Sequence, residues 1–314
     1  MMFKKVRRIG KQWCSAIYNA CFNQPIGYVW MFHRVAPKDG ALPVVDELRV
    51  LPEFFRQFLS DKNNIGDFID IHQFTKVMKG ELKRDKPFHL ITFDDGYEDN
   101  YIYAYPILKE LGIPFVIYVS VDLINDHQPI WNYPLIIERI VRKNDELKLS
   151  NGMHIVCRTI EEKNRAFVEL KSWLFSLRYE TLHDEFTRVL NDYLIDDVFP
   201  NNTLTWEQLK EMANDPLCTI GSHTMSHCRL VMKDNDSLMH ELHDSKRILS
   251  EKLGVEIEHL SYPYGWITDV SEEAIEIAKR AGYKTGLRSF GGPVRRKDND
   301  FFNVKRINVV EYEK

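Results

Sequence analysis

The sequence predicts an α/β fold in which strands and helices alternate, as in a (β/α) barrel or an open parallel sheet. Two observations lead to this prediction. Residues 89–93 and 113–120 are continuously apolar, as expected for strands buried on both faces of a parallel sheet. Amphipathic segments closed by glycine follow such strands, for example residues 97–111 before Gly112. A chain of 314 residues is long enough for one large domain of this kind.

The composition is that of an ordinary globular protein, with 44% hydrophobic and 28% charged residues. A net charge of -4 gives no reason to expect a nucleic-acid partner. The five cysteines form no Cys-x-x-Cys pair, and their odd number favours a reducing compartment over a disulfide framework. No apolar run is long enough to span a bilayer or to form the core of a signal peptide, so a cytoplasmic protein is expected.

The first predicted unit is an amphipathic helix over residues 1–24. Its apolar side chains recur at helical spacing, and its lysines and arginines gather on the remaining surface. This pattern is typical of a basic helix on an anionic membrane, which would place residues 1–22 against the inner membrane face. The pattern also fits a terminal helix packed on its own domain. Both interpretations stay open.

The barrel is predicted to begin after this helix and to span residues 25–314. Residues 27–33 are β-prone and end in His33, and a proline opens a short helix over residues 52–59. Another short strand is predicted at residues 68–71, ahead of the apolar strand that leads into the paired acids.

The character of the chain changes between about residues 125 and 202. Three charged segments with helical periodicity occupy this stretch, and residues 153–157 are its one candidate strand. We therefore predict a mostly helical insertion that lies over or beside the barrel. Its helical segments are 134–143, 161–178 and 181–193.

Beyond the insertion the alternation resumes, with a Thr205 cap before the first helix and a Gly254 stop after the second. This repetition supports a barrel or a parallel sheet rather than separate helical and sheet domains. The predicted helices are 205–212, 236–253 and 272–281, and the predicted strands are 217–220, 257–262 and 283–287.

Two adjacent carboxylates, Asp94 and Asp95, follow a predicted buried strand and precede Gly96. Buried side by side they would repel each other, so a compensating cation is expected. An ordinary turn explains Asp-Gly but not the paired acids. With a metal ion, one carboxylate could bind it while the other moves a proton.

A second candidate pair is His223 and His227, four positions apart and expected on one face of a helical turn. Two imidazoles and one carboxylate would leave an open coordination position, as in a catalytic zinc site. His33 and Tyr264 also follow predicted strands. Because the carboxyl ends of barrel strands meet at one face, all these groups should converge there.

Three short motifs occur in order: Thr92-Phe93-Asp94-Asp95-Gly96, Ser222-His223-Thr224-Met225-Ser226-His227 and Ser261-Tyr262-Pro263-Tyr264-Gly265. Together they resemble the first three motifs of the polysaccharide deacetylases, carbohydrate esterase family four. The resemblance covers roughly residues 26–123 and 203–310, and the combination is far more specific than any single motif. It implies a distorted (β/α) barrel that removes the N-acetyl group from an amino sugar.

The resemblance also implies a role for each motif residue. Asp95, His223 and His227 would hold a divalent metal ion, with Zn2+ expected first and Co2+ or Ni2+ as alternatives. Asp94 would be the general base. The backbone N–H of Tyr264 would join the metal in stabilising the oxyanion.

The general acid departs from the commoner pattern of this family. That acid is usually a histidine in a Leu-x-His motif near the C-terminus, and no histidine follows Asn299. A circularly permuted branch carries it in an N-terminal strand, which Phe32-His33-Arg34-Val35 matches. His33 is therefore expected to be the general acid, and the alternative is a hydrogen-bonded histidine at the rim.

The third and fourth motifs depart as well. Many members have arginine at the position of Ser261, and that arginine orients the catalytic aspartate. Arg306 is the first candidate to replace it, and Arg34 is the alternative. The Asp-Trp pair of the fourth motif has no clear counterpart, and Arg288 or Trp266 is the candidate for its space.

These residues predict a metal-dependent N-deacetylase whose substrate is an N-acetylated polysaccharide, oligosaccharide, or lipid- or nucleotide-linked precursor of a cell-surface polysaccharide. One alternative is a non-catalytic carbohydrate-binding relative. Another is a glycosyltransferase that uses the paired acids to hold a nucleotide-sugar metal, for which the histidine pair is superfluous. The remaining histidines are expected to be structural and to lack converging partners: His72, His89, His127, His154, His183, His240, His243 and His259.

Overall fold

The computed structural model describes residues 24–37, 42, 48–125, 132–177, 179–194 and 203–310. The strands are Pro25–Phe32 (β1), Arg34–Val35 (β2), Arg49–Val50 (β3), Asp67–Phe68 (β4), Phe88–Phe93 (β5), Phe115–Val119 (β6), Glu146–Lys148 (β7), His154–Val156 (β8), Cys218–Ser222 (β9), His259–Ser261 (β10), Thr285–Gly291 (β11), Val294–Arg295 (β12) and Val304–Asn308 (β13).

Among the described residues, seven parallel strands close into a barrel. Their order is β1, β13, β11, β10, β9, β6 and β5, and β5 pairs again with β1. Two short strands extend the sheet, β12 antiparallel to β1 and β4 parallel to β5. The predicted (β/α) barrel is confirmed, and its parallel strands bring their carboxyl ends to one face.

Helices surround these strands. The α-helices are Pro52–Asn63, Ile71–Met78, Tyr105–Leu111, Val121–Asn125, Asn132–Lys143, Ile160–Ser176, Tyr179–Leu190, Trp206–Ala213, Asn235–Met239, Ser245–Leu253 and Glu272–Arg280. Short 3-10 turns lie at Asn191–Tyr193, Leu230–Met232 and Ile267–Asp269, and π-helical segments lie at Asn100–Ala104 and His240–Asp244.

The barrel strands β5 and β6 are mostly apolar because both of their faces are buried. Alternate residues of β5 and β6 enter different apolar clusters: Leu90 and Val116 lie in one, Ile91 and Ile117 in the other. The second cluster also contains side chains of surrounding helices, such as Leu209. A strand covered on both sides carries a continuous apolar run, which explains why these strands are readable from the sequence.

Two predicted elements are wrong in detail. The strand expected over residues 68–71 ends at Phe68, because Asp70 caps a helix by accepting a hydrogen bond from the Gln73 N–H. The helix expected over residues 236–253 is interrupted by the π-helical segment His240–Asp244. The Gly254 stop is confirmed, with φ of 72° at the helix end.

Residues between the barrel strands β6 and β9 form their own apolar cluster, built by three helices and the antiparallel pair β7–β8. The candidate strand at residues 153–157 is present as β8, and its partner β7 was not predicted. Treating residues 125–202 as an insertion stays a prediction. The helix predicted over residues 1–24 lies, apart from Gln24, outside the described residues. No helix in the described ranges has the length and apolar character needed to cross a bilayer.

His89, in the middle of the barrel wall, should make stability depend on pH. Nε1 of Trp30 donates a hydrogen bond to Nδ1 of His89 (3.1 Å), and both side chains are buried. Burial, and then the charge of Lys62, lowers the pKa of His89 to about 4. The unfolded chain therefore binds this proton more readily, and the free energy of unfolding should fall as the pH drops from about 6.5 towards 4.

Urea unfolding at about pH 7 and about pH 5 measures this dependence. His89→Gln keeps an acceptor for Trp30 but cannot titrate, so its pH dependence should be smaller than that of the wild type. His154→Gln, at an exposed histidine, is the matched control. Equal pH dependence in the wild type and His89→Gln would contradict the prediction.

Candidate active site

Three side chains from two strand ends form a candidate metal centre. Asp95 follows β5, and His223 and His227 follow β9. Nε2 of His223 lies 3.3 Å and Nε2 of His227 lies 3.4 Å from Oδ1 of Asp95. One ligand atom of each side chain lies within 4.8 Å of the other two, and all three side chains are buried. The structure thus brings together the three residues expected to hold the metal.

The donor set fits a divalent cation. Nδ1 of His223 lies 2.8 Å from the Ser261 carbonyl oxygen, which can only accept a hydrogen bond, so Nδ1 carries a proton. Such a carbonyl partner commonly orients a metal-ligating histidine and leaves its other nitrogen for the metal. Burial opposes charge at His223, but the carboxylates of Asp94 and Asp95 outweigh it and hold its pKa above the usual range. The same carboxylates would attract a metal ion.

The histidine pair is not on a helical turn, so that part of the prediction is wrong. Residues 223–227 form a loop, in which Thr224 (φ 71°) and His227 (φ 56°) have left-handed backbone conformations. Oγ1 of Thr224 accepts a hydrogen bond from the His227 N–H (3.0 Å). The loop still brings the two imidazole rings together, with centroids 4.7 Å apart.

Left-handed backbone is concentrated at this site. Within the described residues, the non-glycine positions with positive φ are Asp95, Thr224, His227 and Tyr264. Each such conformation costs of order 1–3 kcal/mol and persists only where the surroundings enforce it. All four belong to the three sequence motifs, which is the distribution expected for a functional site rather than for ordinary turns.

A buried carboxylate that the sequence reading missed holds the histidine loop. Oε2 of Glu241 accepts hydrogen bonds from the N–H groups of Met225 (3.1 Å) and Ser226 (2.9 Å), and Oε1 accepts from Oγ of Ser226 (2.5 Å). The Glu241 carbonyl also accepts from Met225 N–H (3.1 Å) and from Oγ of Ser245 (2.6 Å), within the π-helical segment. The sequence signal that could have identified Glu241 was the presence of an acidic residue on the apolar face of a predicted helix.

We expect Glu241→Gln to weaken zinc binding about 10- to 100-fold, the usual effect of losing a group that orients metal ligands. Glutamine offers one acceptor oxygen where three donors converge, so the loop should loosen. Zinc affinity measured by competition with a chelating dye tests this. Glu251→Gln, at an exposed glutamate on the same helical stretch, is the matched control. Wild-type zinc affinity in Glu241→Gln would contradict the prediction.

The second carboxylate of the pair is held by Arg306. Nη1 of Arg306 donates to Oδ1 of Asp94 (2.8 Å) and Nη2 donates to Oδ2 (2.6 Å). Oγ of Ser261 donates to the same Oδ2 (3.1 Å) and accepts from Nη2 (2.8 Å). Arg306 lies on β13 and is almost completely buried. The first candidate named from the sequence therefore makes the contact.

The charges around Asp94 keep it ionised. Burial by itself raises the pKa of this carboxyl group, but the Arg306 guanidinium and then His223 outweigh burial and hold the pKa below its usual range. Two-point contact with a planar guanidinium also fixes the direction of the carboxylate.

Arg34, the alternative partner for Asp94, is engaged elsewhere. Its Nε donates to Oδ2 of Asp99 (2.7 Å), and Oδ1 of Asp99 accepts from the Val35 N–H (3.3 Å). These bonds fix the two residues that follow His33. Nδ1 of His33 is itself buried and has no hydrogen-bond partner among the described residues. Asp99 was also missed, although an acid inside an amphipathic helix was visible in the sequence.

His33, Tyr264 and both carboxylates of the pair line one cavity of about 360 Å3, together with the histidine pair. The ring of Tyr264 packs against that of His227, with centroids 4.9 Å apart. Oγ of Ser289 donates to the Tyr264 carbonyl oxygen, which helps to hold the backbone in its left-handed conformation. The predicted convergence at one face of the barrel is thus present.

Comparison with known proteins identifies the family. The family model for polysaccharide deacetylase matches residues 81–286, about two thirds of the chain. The chain belongs to this family. Members of this family are generally metal-dependent.

One curated protein is similar to this chain in sequence. The chain is 24% identical over 220 residues to YxkH of Bacillus subtilis, whose name places it among the polysaccharide deacetylases; the match covers 70% of this chain and 50% of YxkH. The chain thus spans about half the length of that relative.

Solved structures are also similar. The Streptococcus pyogenes deacetylase PplD, in complex with acetate, has a TM-score of 0.61 at 19% identity, covering 91% of this chain and 94% of PplD. IcaB from Ammonifex degensii has a TM-score of 0.58 at 18% identity, covering 91% and 92%. At this level of identity the likeness establishes the fold alone.

The residues expected in the space of the fourth motif, Arg288 and Trp266, do not line the cavity that contains Asp94 and Asp95. Nε of Arg288 donates to Oδ1 of Asn303 (2.8 Å) and its Nη1 donates to the Trp266 carbonyl oxygen (3.3 Å). The Arg288 carbonyl oxygen accepts from Nε of Arg306 (2.6 Å). Trp266 is 60% exposed and stacks on Phe290. Arg288 therefore supports the arginine that binds Asp94.

One expectation about the remaining histidines is wrong. His72 and His259 converge with Glu258, and one ligand atom of each lies within 4.8 Å of the others. The cluster joins a helix start to the beginning of β10, elements far apart in sequence, which is why the sequence did not reveal it. His127 lies outside the described residues.

Proposed function

We propose that this protein is a metal-dependent hydrolase that removes the N-acetyl group from an amino sugar. One observation carries the proposal: Asp94 is held by Arg306 beside the Asp95, His223 and His227 cluster but is not part of it. The site therefore offers both a metal position and a separate ionised carboxylate in one cavity. Metal-dependent hydrolysis of an amide uses both, the metal ion to activate water and polarise the carbonyl and the carboxylate to take up a proton.

The residues that would hold the ion are Asp95, His223 and His227. A divalent ion, most often zinc for two nitrogens and one oxygen, polarises an acetyl carbonyl and lowers the pKa of water. Three protein ligands leave room for substrate. Glu241 and the Ser261 carbonyl keep the two imidazoles in place before substrate arrives.

Asp94 would act as the general base. Its two oxygens are fixed by Arg306, and its depressed pKa keeps it ionised at neutral pH, ready to take a proton from attacking water. The bonds from Arg306 and Ser261 fix Asp94 in an orientation in which its Oδ2 lies 4.0 Å from Nε2 of His223. This division of labour between adjacent acids accounts for the pair in the sequence.

His33 would act as the general acid, and the Tyr264 N–H would receive the developing charge on the acetyl oxygen. Both residues line the cavity that contains Asp94. His33 directly follows β1, the strand paired with β5 that leads into Asp94, and from there it would give a proton to the departing amine. A fixed backbone N–H stabilises an oxyanion without reorganisation during the reaction.

Acetate release from short N-acetylglucosamine oligosaccharides tests the proposal. We expect release from the purified protein, loss of release after removal of metal with a chelator, and recovery with Zn2+ or Co2+. Binding of the sugar without acetate release would indicate a carbohydrate-binding relative instead. Turnover of a nucleotide sugar to a glycoside would indicate a glycosyltransferase.

A further inference from the structure

The catalytic cavity has two unlike walls. One is formed by the metal-ligand cluster and the charged side chains at the barrel rim. The other is formed mainly by residues of the helices Asn132–Lys143 and Ile160–Ser176, outside the barrel strands. Phe167, Lys171 and Phe175 recur there every four residues and so lie on one face of their helix. This wall contacts whatever is attached to the reacting sugar.

Apolar side chains dominate the second wall. Phe175 is 48% exposed and Leu48 is 40% exposed, although both line the cavity. Pro134 and Leu135 extend the apolar surface between them. Grouped apolar side chains at the mouth of a cavity favour an apolar ligand group that removes them from water. A polysaccharide chain, hydroxylated along its length, would leave much of this surface uncompensated.

One positive charge lies within the apolar wall. Lys171 is half-buried, and its Nζ lies over the ring of Phe167, 5.7 Å from the centroid. Among the described residues no carboxylate forms an ion pair with it. Arg34, the other cation lining the cavity besides the histidines, is paired with Asp99. Lys171 is therefore the cation placed to bind an anionic group of the ligand.

We propose that the substrate is an N-acetylated amino sugar joined through phosphate to a lipid, with the phosphate on Lys171 and the lipid chain along Phe175, Leu135 and Leu48. This proposal rests on the proposed deacetylase function. The cavity volume of about 360 Å3 lies at the small end of ligand sites, which suits one sugar with its phosphate. A nucleotide sugar shares the phosphate but not the apolar group, so the phosphate source can be tested.

The kinetic test compares acetate release from three substrates: geranyl diphosphate N-acetylglucosamine, UDP-N-acetylglucosamine and methyl N-acetylglucosaminide. We expect the lipid diphosphate sugar to have the highest kcat/KM, mainly through a lower KM. Lys171→Gln should lower kcat/KM about tenfold for both phosphate-linked sugars and leave the methyl glycoside unchanged. Phe175→Ala should lower it for the lipid-linked sugar only.

Lys148→Gln is the matched control, because Lys148 is an exposed lysine on the β7–β8 hairpin, away from the cavity. Lys148→Gln should leave kcat/KM unchanged for all three substrates. An equal loss for all three substrates in Lys171→Gln would overturn the role of Lys171. A kcat/KM for UDP-N-acetylglucosamine equal to or above that of the lipid-linked sugar would overturn the lipid assignment.

Binding of geranyl phosphate, measured by calorimetry, tests whether the apolar wall and Lys171 bind an anionic lipid in the absence of catalysis. The wild type should bind it, and Lys171→Gln should bind it about tenfold more weakly. Absence of binding to the wild type would overturn the substrate proposal even if neutral oligosaccharides are deacetylated. Conversely, binding with no acetate release from any substrate would overturn the proposed deacetylase function and leave the anionic lipid site standing.

Discussion

Asp94→Asn is expected to lower the rate of acetate release about a thousandfold while leaving zinc binding near the wild-type level. The magnitude is that of removing a general base from a positioned site. Asparagine keeps the shape of the side chain but cannot accept a proton at neutral pH. Asp95→Asn should behave differently and lose zinc affinity, because Asp95 lies against both imidazoles. Comparing the two variants therefore distinguishes a general base from a metal ligand.

Stability has to be measured alongside activity in these variants. Asp94→Asn leaves the buried Arg306 guanidinium without its counter-charge, so a lower unfolding temperature is expected. Assays should therefore be run well below that temperature, with bound zinc as the sign of a native site. Asp67→Asn is the matched control, because it removes a carboxylate from the more exposed ion pair with Arg84. Equal loss of zinc in Asp94→Asn and Asp95→Asn would contradict the division of roles.

Arg306→Gln is expected to have the largest effect on stability, about 3–5 kcal/mol at neutral pH. The Arg306 side chain is fully buried and its Asp94 partner nearly so, and removing the guanidinium leaves a buried carboxylate without its cation. Activity should fall as well, because Asp94 loses the contact that aims it. Arg306→Lys keeps the charge without the two-point contact and should be intermediate.

The pH dependence gives this prediction a direction. In the wild type, Arg306 and His223 hold the pKa of Asp94 below 3.8, so the pair stabilises the fold above that pH and the contribution is lost in acid. Without Arg306, burial dominates and the pKa of Asp94 should rise above 3.8. The deficit of Arg306→Gln in denaturant unfolding should then be smaller at about pH 5 than at about pH 7. A constant deficit would contradict this account.

Local sequence was sufficient for the alternation of buried strands and helices and for the convergence of the candidate site residues. The choice of a barrel over an open parallel sheet came from the resemblance to the deacetylase family. Buried parallel strands can be recognised in a sequence as apolar runs. In a barrel their carboxyl ends lie at one face, whatever conformation the connecting loops adopt. Asp94, Asp95, His223 and His227 could therefore be assigned to one site from their positions after strands. Arg306 could be named as a candidate because the resemblance to the deacetylase family implies an arginine beside Asp94, and Ser261 stands where many members carry it.

Other features depend on contacts between residues distant in sequence. The conformation of the histidine loop is set by Glu241, whose bonds to Met225 and Ser226 replace the helical turn that the spacing indicated. The pairing of Arg34 with Asp99, rather than with Asp94, joins residues 65 positions apart. Hydrophobic periodicity indicates which face of a helix or strand is buried but not which residue covers it. It therefore could not predict these contacts.

The motif Thr92-Phe93-Asp94-Asp95-Gly96 contained enough information to locate the chemistry, because strand end, paired acids and glycine are all local features. The roles proposed for the two acids agree with the neighbours that folding supplies: Arg306 lies beside Asp94, and the two imidazoles lie beside Asp95. The helix that carries Lys171 likewise lines the cavity only because its helical region packs beside the ends of the barrel strands. Long-range packing, not local propensity, assigns these partners.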